Sequence, residues 1–249
     1  MMLKDLDVIL GHGLKQVVVQ TGAGISAASG IPTFRGSGGL YNGVSVEDLA
    51  TPEGFARNPK LVWEWYAYRI GLVRAAQPNA GHFALAEWAE MAEGFTLLTS
   101  NVDDLHEKAG SREVHHLHGT ILKGRCCETG RVYELPDPLD VSLDLPRTPE
   151  GKLLRPNVVW FGERPVESAF EAMAAAIPRA DLYVEVGHSG VIQYGFSDWA
   201  LSLGIPFVRI NPDRDPAPRD PRVIHIQAGA EEALPALVEV LRGLRGEEE

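Results

Sequence analysis

The feature that most constrains the fold of this 249-residue chain is an apolar, β-branched run that ends in a glycine-rich turn. The run is Gln16–Thr21 (QVVVQT), and residues 22–27 (GAGISA) follow it directly. A continuous apolar run of this length is typical of a strand buried on both faces, as in a parallel sheet. The turn fits the pattern G-x-G-x-x-[G/A], whose glycines let backbone N–H groups approach a pyrophosphate. The pattern is short, so a simple strand-to-helix turn explains it equally well at this point.

Further apolar runs alternate with helical patterns along the rest of the chain. Strands are predicted at residues 95–99, 158–161, 182–186, 207–210 and 223–226, and helices at residues 1–10, 59–75, 81–92, 167–176, 195–203 and 230–244. This alternation predicts the α/β class, with a Rossmann-like doubly wound parallel sheet covered by helices on both faces. Such sheets bind ligands at the carboxyl ends of their strands.

Two stretches interrupt the alternation, and we interpret them as a smaller inserted module. The predicted main domain comprises residues 1–30, 76–119 and 156–249, and the module comprises residues 31–75 and 120–155. The second insertion is rich in Pro, Asp, Gly and Leu and has only short strand patterns. We expect it to be held by its own apolar contacts, among Leu135, Leu139, Val141, Leu143 and Leu145.

Charge and cysteine content narrow the partners. The formal net charge of -11 argues against a nucleic-acid coat protein, which needs a basic face to displace counterions. No stretch approaches the roughly 18 apolar residues of a membrane-spanning helix, so neither nucleic acid nor membrane is expected as a partner. The two cysteines, Cys126 and Cys127, are adjacent, which disfavours a disulfide framework and favours a reducing, cytoplasmic location.

Several further motifs along the chain indicate which family of proteins the glycine turn belongs to. Residues 22–36 (GAGISAASGIPTFRG) resemble the signature loop of the sirtuin family, and other elements follow in that family's order: Asn101-Val102-Asp103, His118-Gly119, Phe161-Gly162-Glu163, residues 187–189 and Ile210-Asn211. Agreement among independent short signals is stronger than any one of them. The resemblance implies an NAD-dependent protein deacylase, which removes acyl groups from lysine in proteins or peptides and releases nicotinamide and O-acyl-ADP-ribose.

The resemblance also implies which residues bind NAD. The matching positions are Gly22, Ala23, Gly24, Ser26, Phe34, Arg35, Ser100, Asn101, Asp103, Gly187, His188, Ser189 and Asn211. Asp103 would recognise the nicotinamide carboxamide, and Asn101 would position the ribose and a water. Asn and Asp are also common helix caps, and that interpretation of both residues stays open. The chain departs from the family at Ser100, where glutamine is usual, and at His188, where threonine is usual.

By the same resemblance the catalytic residues are His118 and Asn101. In sirtuins the histidine deprotonates a ribose hydroxyl after the acyl oxygen has attacked the anomeric carbon of the sugar. Imidazole titrates near neutral pH and suits that role. Three histidines in the run His115-His116-Leu117-His118 also suggest a metal cluster, and strand alternation would place His116 and His118 on one face and His115 on the other. We favour the base.

Substrate-binding residues are predicted at Ala50, Tyr66, Arg69, Val159, Phe161 and Gly162. The segments at 161–163 and 187–190 resemble the two loops between which sirtuins hold a peptide as an added strand. Tyr66 and Arg69, three apart in a helical pattern, resemble the pair with which one sirtuin class reads the carboxylate of succinyl, malonyl or glutaryl groups. Ala50 would leave room for such a group. An amphipathic helix with a solvated Arg69 is the alternative, and acetyl removal is compatible with the pair.

The sequence also departs from the four cysteines with which sirtuins usually bind a structural zinc ion. Cys126 lies where the first pair would begin, but Cys127 follows at once, and residues 136–150 contain neither Cys nor His. We therefore predict no metal. Two other functions stay open: ADP-ribosyl transfer or NAD hydrolysis in the same cleft, and a non-catalytic sensor of NAD or ADP-ribose, which the departure at Ser100 favours.

Overall fold

The computed structural model describes residues 9, 11–32, 40–41, 44–45, 49–188, 194–213 and 222–248. In chain order the strands are β1 (Gln16–Thr21), β2 (Leu40–Tyr41), β3 (Val44–Ser45), β4 (Gly94–Thr99), β5 (Val114–His116), β6 (Gly119–Cys126), β7 (Val132–Glu134), β8 (Leu154–Val158), β9 (Leu182–Val186), β10 (Phe207–Ile210) and β11 (Val223–Ile226). The helices are α1 (Gly24–Ala27), α2 (Pro52–Arg57), α3 (Pro59–Ala75), α4 (Ala80–Met91), α5 (Leu105–Lys108), α6 (Glu167–Ala176), α7 (Phe196–Ser202) and α8 (Ala230–Glu248). The helix predicted over residues 1–10 falls almost wholly outside the described ranges. Among the residues described, no helix is both long enough and apolar enough to cross a membrane.

The main sheet consists of six parallel strands of the described chain, in the order β11-β10-β9-β1-β4-β5. This confirms the predicted doubly wound sheet. The strands β4 and β5 extend the sheet on one side of β1, and β9, β10 and β11 extend it on the other. In doubly wound sheets the ligand crevice opens outside the carboxyl ends of the strands, at the point where the strand order reverses. Here β1 and β9 lead directly into Gly22 and Gly187 at that place.

Side chains alternate along each strand, so apolar residues lie on both faces of the main sheet. Helices cover both faces. Val17 and Val19 belong to a core shared with α4 and α8, whereas Val18 belongs to a second core shared with α6 and α7. All three valines are at most 2% exposed. Burial on both faces explains why β1 is a continuous apolar run and does not alternate with polar residues.

A second, smaller sheet packs against helix α3. The strands β7, β6 and β8 are antiparallel neighbours in that order, and their apolar core includes Trp63, Tyr66 and Ile70 of the helix. The indole N–H of Trp63 donates to the Leu154 carbonyl at 2.9 Å. This bond satisfies the one polar atom that the buried indole carries.

Some expectations for this region are wrong. The strand expected at residues 158–161 is instead β8, which ends at Val158, so residues 159–161 lie beyond it. The 120–155 stretch contains most of the eight-residue strand β6 and not merely short strand patterns. Leu143 is 92% exposed and lies outside the core, whereas Leu135 and Val141 are buried in it.

Two buried histidines couple the stability of the fold to pH. His82 of α4 and His106 of α5 are 0% and 1% exposed, and their ring centres lie 5.0 Å apart. Burial lowers the pKa of His82 from 6.5 to about 4. Burial also lowers the pKa of His106, and the neighbouring charges of His82 and His116 lower it further. The folded state therefore resists protonation at sites that the unfolded chain protonates readily below its own histidine pKa.

We expect the free energy of unfolding to fall as the pH drops from the unfolded pKa of histidine toward the folded pKa of His82. Between about pH 7.5 and about pH 4.5 the His82 contribution to this loss is about 2–3 kcal/mol, at about 1.4 kcal/mol per pKa unit. Chemical denaturation at both pH values measures the loss. The variant His82→Gln, which keeps an acceptor for the Asn79 N–H, should lose about 2–3 kcal/mol less than the wild type. Equal losses would contradict the assignment to His82.

Candidate active site

Two glycine turns touch each other at the carboxyl ends of β1 and β9. The Gly24 N–H donates to the Gly187 carbonyl at 2.9 Å, and a Cβ placed on Gly24 would lie 2.6 Å from the Gly187 Cα. Gly187 has a φ of +61°, a left-handed conformation that glycine adopts without strain. A cavity of about 370 Å³ opens beside this contact and is lined by both glycines, Ile210 and Gly229. Because the turns carry no side chains beside the cavity, a nucleotide diphosphate can approach the backbone closely there.

Beside the two glycine turns, Ser26, Asn101 and Asp103 form a buried hydrogen-bonded cluster. The Asn101 amide nitrogen Nδ2 donates to Ser26 Oγ at 3.1 Å, and Ser26 Oγ donates to Asp103 Oδ2 at 3.0 Å. All three residues are at most 7% exposed. The fold thus brings together three residues predicted to bind the cofactor, although Ser26 is 75 and 77 positions away from the other two.

Neither of the two proposed helix caps is the N-cap of α5, which is Asp104, but Asp103 makes a contact beside it. Asp103 Oδ1 accepts from the Leu105 N–H at 3.2 Å at the start of α5, whereas the Asn101 amide is used by Ser26. Burial raises the pKa of Asp103, and the hydrogen bonds from Leu105 and Ser26 oppose that rise. Burial therefore disfavours the charged carboxylate of Asp103, whereas the two hydrogen bonds favour it. A further hydrogen-bond donor from a ligand would bind this carboxylate well.

Two threonines that the sequence analysis missed connect the strands below this cluster. Thr21 Oγ1 donates to Thr99 Oγ1 at 2.8 Å and lies 2.9 Å from His106 Nε2. Thr99 Oγ1 in turn accepts from the Asn101 N–H at 3.1 Å. The available signal was that β1 and β4 both end in threonine, at the edge where a doubly wound sheet binds ligands.

His118 lies between β5 and β6, and its ring is held from both sides. Its Nδ1 is 2.9 Å from the Ser100 carbonyl oxygen, and its Nε2 is 3.0 Å from the Tyr194 hydroxyl. Because a carbonyl oxygen only accepts, the neutral ring carries its proton on Nδ1 and presents the lone pair of Nε2. This is the tautomer that a general base requires on the Nε2 side.

The surroundings of His118 favour its neutral form. Burial lowers the pKa of His118, the hydrogen bond to Ser100 opposes this, and the charge of His188 lowers the pKa further. Burial raises the pKa of Tyr194, so its hydroxyl stays protonated and donates to Nε2. Tyr194 is a site residue that the sequence analysis did not predict.

His188, the last residue described directly after β9, contacts Asn211 and side chains of the neighbouring strands. The Asn211 amide nitrogen Nδ2 donates to the His188 carbonyl at 2.9 Å. The His188 ring faces residues of β1 and β9, with Nε2 3.4 Å from Gln20 Nε2 and Nδ1 3.6 Å from Glu185 Oε1. The imidazole that replaces the threonine usual in the family is thus accommodated by side chains of β1 and β9.

Backbone contacts connect His118 to the segments predicted to bind substrate. The Val159 N–H donates to the His118 carbonyl at 2.9 Å, and the Phe161 N–H donates to the Ala50 carbonyl at 2.9 Å. Gly162 follows with a φ of +85°. Phe161 is 49% exposed, so this turn presents an aromatic residue to solvent.

Tyr66 and Arg69 lie together on helix α3. The Tyr66 oxygen accepts from Trp160 Nε1 at 2.9 Å. The Arg69 guanidinium carbon lies 4.7 Å from the centre of the Trp65 ring and 5.4 Å from that of Tyr66. Burial lowers the pKa of Arg69, and the neighbouring Tyr66 and Asp103 oppose that shift. Arg69 is therefore a partly buried cation near Asp103, in contrast to the solvated arginine of the alternative interpretation.

The remaining predicted cofactor residues differ in how far they are described. Phe34, Arg35 and Ser189 lie outside the described residues, so their roles stay predictions. Ala23 is exposed at the tip of the glycine turn. Ser100 contributes through its backbone, since its N–H donates to the Thr21 carbonyl at 2.9 Å and its own carbonyl accepts from His118.

The histidines of β5 make separate contacts. His116 Nε2 lies 2.6 Å from Glu107 Oε1, and His115 Nε2 lies 3.5 Å from Glu113 Oε1. Within the part of the chain that the structure describes, no three His, Cys, Asp or Glu side chains are grouped so as to hold a metal ion. That the protein binds no metal stays a prediction.

Known proteins of one family resemble this chain along most of its length. The Sir2 family model matches residues 22–194. The NAD-dependent protein deacylase 2 of Pyrobaculum aerophilum is 45% identical over 235 residues, 93% of each chain. The NAD-dependent protein deacylase of Aquifex aeolicus is 47% identical over 207 residues, 80% of this chain and 84% of the relative. A crystal structure of a Sir2 homolog–NAD complex has a TM-score of 0.88 at 39% identity and covers 98% of this chain and 94% of that one. This chain therefore belongs to the Sir2 family.

Proposed function

We propose that this chain removes acyl groups from lysine side chains of proteins in an NAD-dependent reaction that releases nicotinamide and O-acyl-ADP-ribose. The observation that carries the proposal is the state of His118, whose Nδ1 is tied to the Ser100 carbonyl while the Nε2 lone pair faces a hydroxyl. Relatives that are 45% and 47% identical and are named NAD-dependent protein deacylases support it.

The residues of the site divide the work among them. NAD supplies, when bound, a sugar carbon with nicotinamide as its leaving group. Gly24 and Gly187 let the diphosphate approach the backbone without meeting a side chain, and Asp103 accepts a hydrogen bond from the nicotinamide amide. His118 Nε2 takes a proton from a sugar hydroxyl, which replaces the Tyr194 hydroxyl, 3.0 Å away in this structure, as the donor to the single lone pair of Nε2. Asn101 keeps Ser26 and the loop in place through its amide.

The acyl pocket is proposed to accept acidic acyl groups. The Arg69 guanidinium is a fixed cation, and the Tyr66 oxygen accepts from Trp160, which leaves the Tyr66 proton to donate. A carboxylate that receives both a guanidinium and a phenol matches succinyl, malonyl or glutaryl groups. Ala50 adds little volume beside Phe161, to which its carbonyl is bonded.

Arg69→Met is expected to reduce kcat/KM for a succinyl-lysine peptide by about 10- to 100-fold, since a hydrogen bond to a charged group is worth about 1.5–3 kcal/mol. The kcat/KM for the matching acetyl peptide should change by less than about threefold, because acetyl carries no carboxylate. Parallel steady-state assays with the two peptides measure the ratio. Lys60→Met removes another cation from α3, one with an exposed contact to Ser142. It should leave kcat/KM for both peptides unchanged. Equal losses on both peptides would remove the carboxylate contact from the account.

Incubation of the protein with NAD and acetyl- or succinyl-lysine peptides, followed by mass spectrometry, tests the activity as a whole. The proposal predicts deacylated peptide, nicotinamide and O-acyl-ADP-ribose in equal amounts. Free ADP-ribose with an unchanged peptide would identify an NAD hydrolase, and transfer of ADP-ribose to the peptide would identify a transferase. Binding of NAD without any product would identify a sensor.

A further inference from the structure

The side chain of His116 makes two hydrogen bonds that together fix its protonation state. Its Nδ1 lies 3.2 Å from the Asn101 carbonyl oxygen, and its Nε2 lies 2.6 Å from Glu107 Oε1. A carbonyl oxygen accepts only, and so does an ionised carboxylate. Both ring nitrogens must therefore donate, which requires the imidazolium form. Burial disfavours that cation, but the hydrogen bond and charge of Glu107 hold the pKa of His116 above its usual value.

His116 and His118 bind successive carbonyls of one loop, and the two rings differ in charge. His118 binds the Ser100 carbonyl as a neutral ring, and His116 binds the next carbonyl, that of Asn101, as a cation. This loop runs from the end of β4 to α5 and carries the side chains of Asn101 and Asp103. A shift of the Asn101 backbone would displace the amide that donates to Ser26.

The groups that face His116 define how it titrates. From α5 these are Glu107, with 43% of its side chain exposed, and the buried His106. From the loop it is Asp103, whose charge also favours the cation. Because the folded pKa lies above the unfolded value, the contribution of this pair is complete at acidic pH and is lost as the pH rises through the folded pKa.

We propose that His116 and Glu107 are positioning residues that fix the Asn101 backbone, and that NAD affinity falls when His116 loses its proton. The neutral ring that remains keeps its one proton on Nε2, facing the Glu107 carboxylate, so a bare Nδ1 lone pair faces the Asn101 carbonyl oxygen and the hold on Asn101 is lost. The inference rests on the proposed function in that NAD binds beside Asn101 and Asp103, but it does not require that acyl transfer occurs.

Calorimetric titration with NAD at about pH 6 and about pH 9 tests this pair without any turnover. The dissociation constant of the wild type should rise by about tenfold at the higher pH, the loss expected for one charge-assisted hydrogen bond. Glu107→Ala should bind weakly, by about tenfold, already at the lower pH. Glu107→Gln can donate its amide N–H to the neutral ring, so it should bind NAD nearly as well as the wild type at the lower pH and lose the alkaline rise.

The neighbouring His115 and Glu113 provide the matched control. They are the same residue types and lie 3.5 Å apart, but 81% of the Glu113 side chain is exposed. Glu113→Ala should keep the wild-type affinity and the wild-type alkaline rise. Equal NAD affinity of Glu107→Ala and Glu113→Ala at the lower pH would overturn the proposal. An alkaline rise in Glu107→Gln as large as in the wild type would overturn it as well. Melting temperatures recorded in parallel separate loss of fold from loss of affinity.

Discussion

Replacing His118 by alanine is expected to lower kcat for deacylation by about 10²- to 10⁴-fold, the range found for positioned general bases. The Nε2 lone pair that accepts the sugar proton is lost, and no other described side chain is held at the Ser100 carbonyl in its place. Steady-state kinetics with saturating NAD and acyl peptide measures kcat. The dissociation constant of NAD should change by less than about threefold, because the base acts on the reaction and not on binding.

The control for this result is His115→Ala, which removes an imidazole three positions away that lies beside Glu113. Its kcat should equal that of the wild type. The acid limb of the wild-type pH profile for kcat/KM should lie below the usual pKa of histidine, because burial lowers the pKa of His118. A His118→Ala protein that keeps more than about a tenth of the wild-type kcat would contradict the assignment of the base.

The second large effect is expected for Gly24→Ala, which should lose measurable NAD binding and about 1–3 kcal/mol of stability. The added Cβ would lie 2.6 Å from the Gly187 Cα and 2.8 Å from the Gly187 carbonyl oxygen. Both are backbone atoms, so no side chain can rotate to relieve the contact. The clash would push the two glycine turns apart and so widen the cofactor site, at the point where the strand order reverses. Calorimetry with NAD and denaturant unfolding measure the two losses.

Gly71→Ala is the matched control for this substitution. Gly71 lies in helix α3, and nothing lies within 4 Å of the position that its Cβ would take. The change should therefore stabilise the protein by about 0.5–1 kcal/mol through helix propensity, with unchanged NAD affinity. If Gly24→Ala behaved like Gly71→Ala, the contact between the two turns would not be a requirement of the cofactor site.

Much of the main sheet could be predicted because its signals are local. The run at Gln16–Thr21 forms β1 with the predicted bounds, since burial on both faces demands a continuous apolar stretch. Helix α3 also has the predicted bounds, Pro59–Ala75. Its start is encoded in the sequence, because the Asn58 side chain accepts from the Leu61 N–H and proline occupies the first helical position.

The small sheet was harder to predict because its strands are defined by distant partners. The run at residues 158–161 is apolar and resembles a strand, but β8 is the more polar Leu154–Val158, paired antiparallel with β6. Within β8, Leu154, Pro156 and Val158 are buried and alternate with two less buried residues. This alternation across Arg155 and Asn157 is the strand signal that the apolar run obscured.

The candidate site shows the same division between local and distant contacts. Ser26, Asn101 and Asp103 were each predicted from a motif, and the fold brings them together. Tyr194 lies 76 positions from His118, and no local pattern indicates that its hydroxyl meets the ring. Contacts of this kind depend on how the sheet brings its loops together, which the sequence specifies only through the whole fold.

The central claim is that the His118 ring faces the sugar of bound NAD, and a crystal structure with NAD and an acyl-lysine peptide tests it most directly. The account predicts that His118 Nε2 lies about 2.6–3.2 Å from a ribose hydroxyl, directly or through one water, while Nδ1 keeps its contact with the Ser100 carbonyl. A ring that points away from the ribose, beyond the reach of one water, would contradict the proposed chemistry.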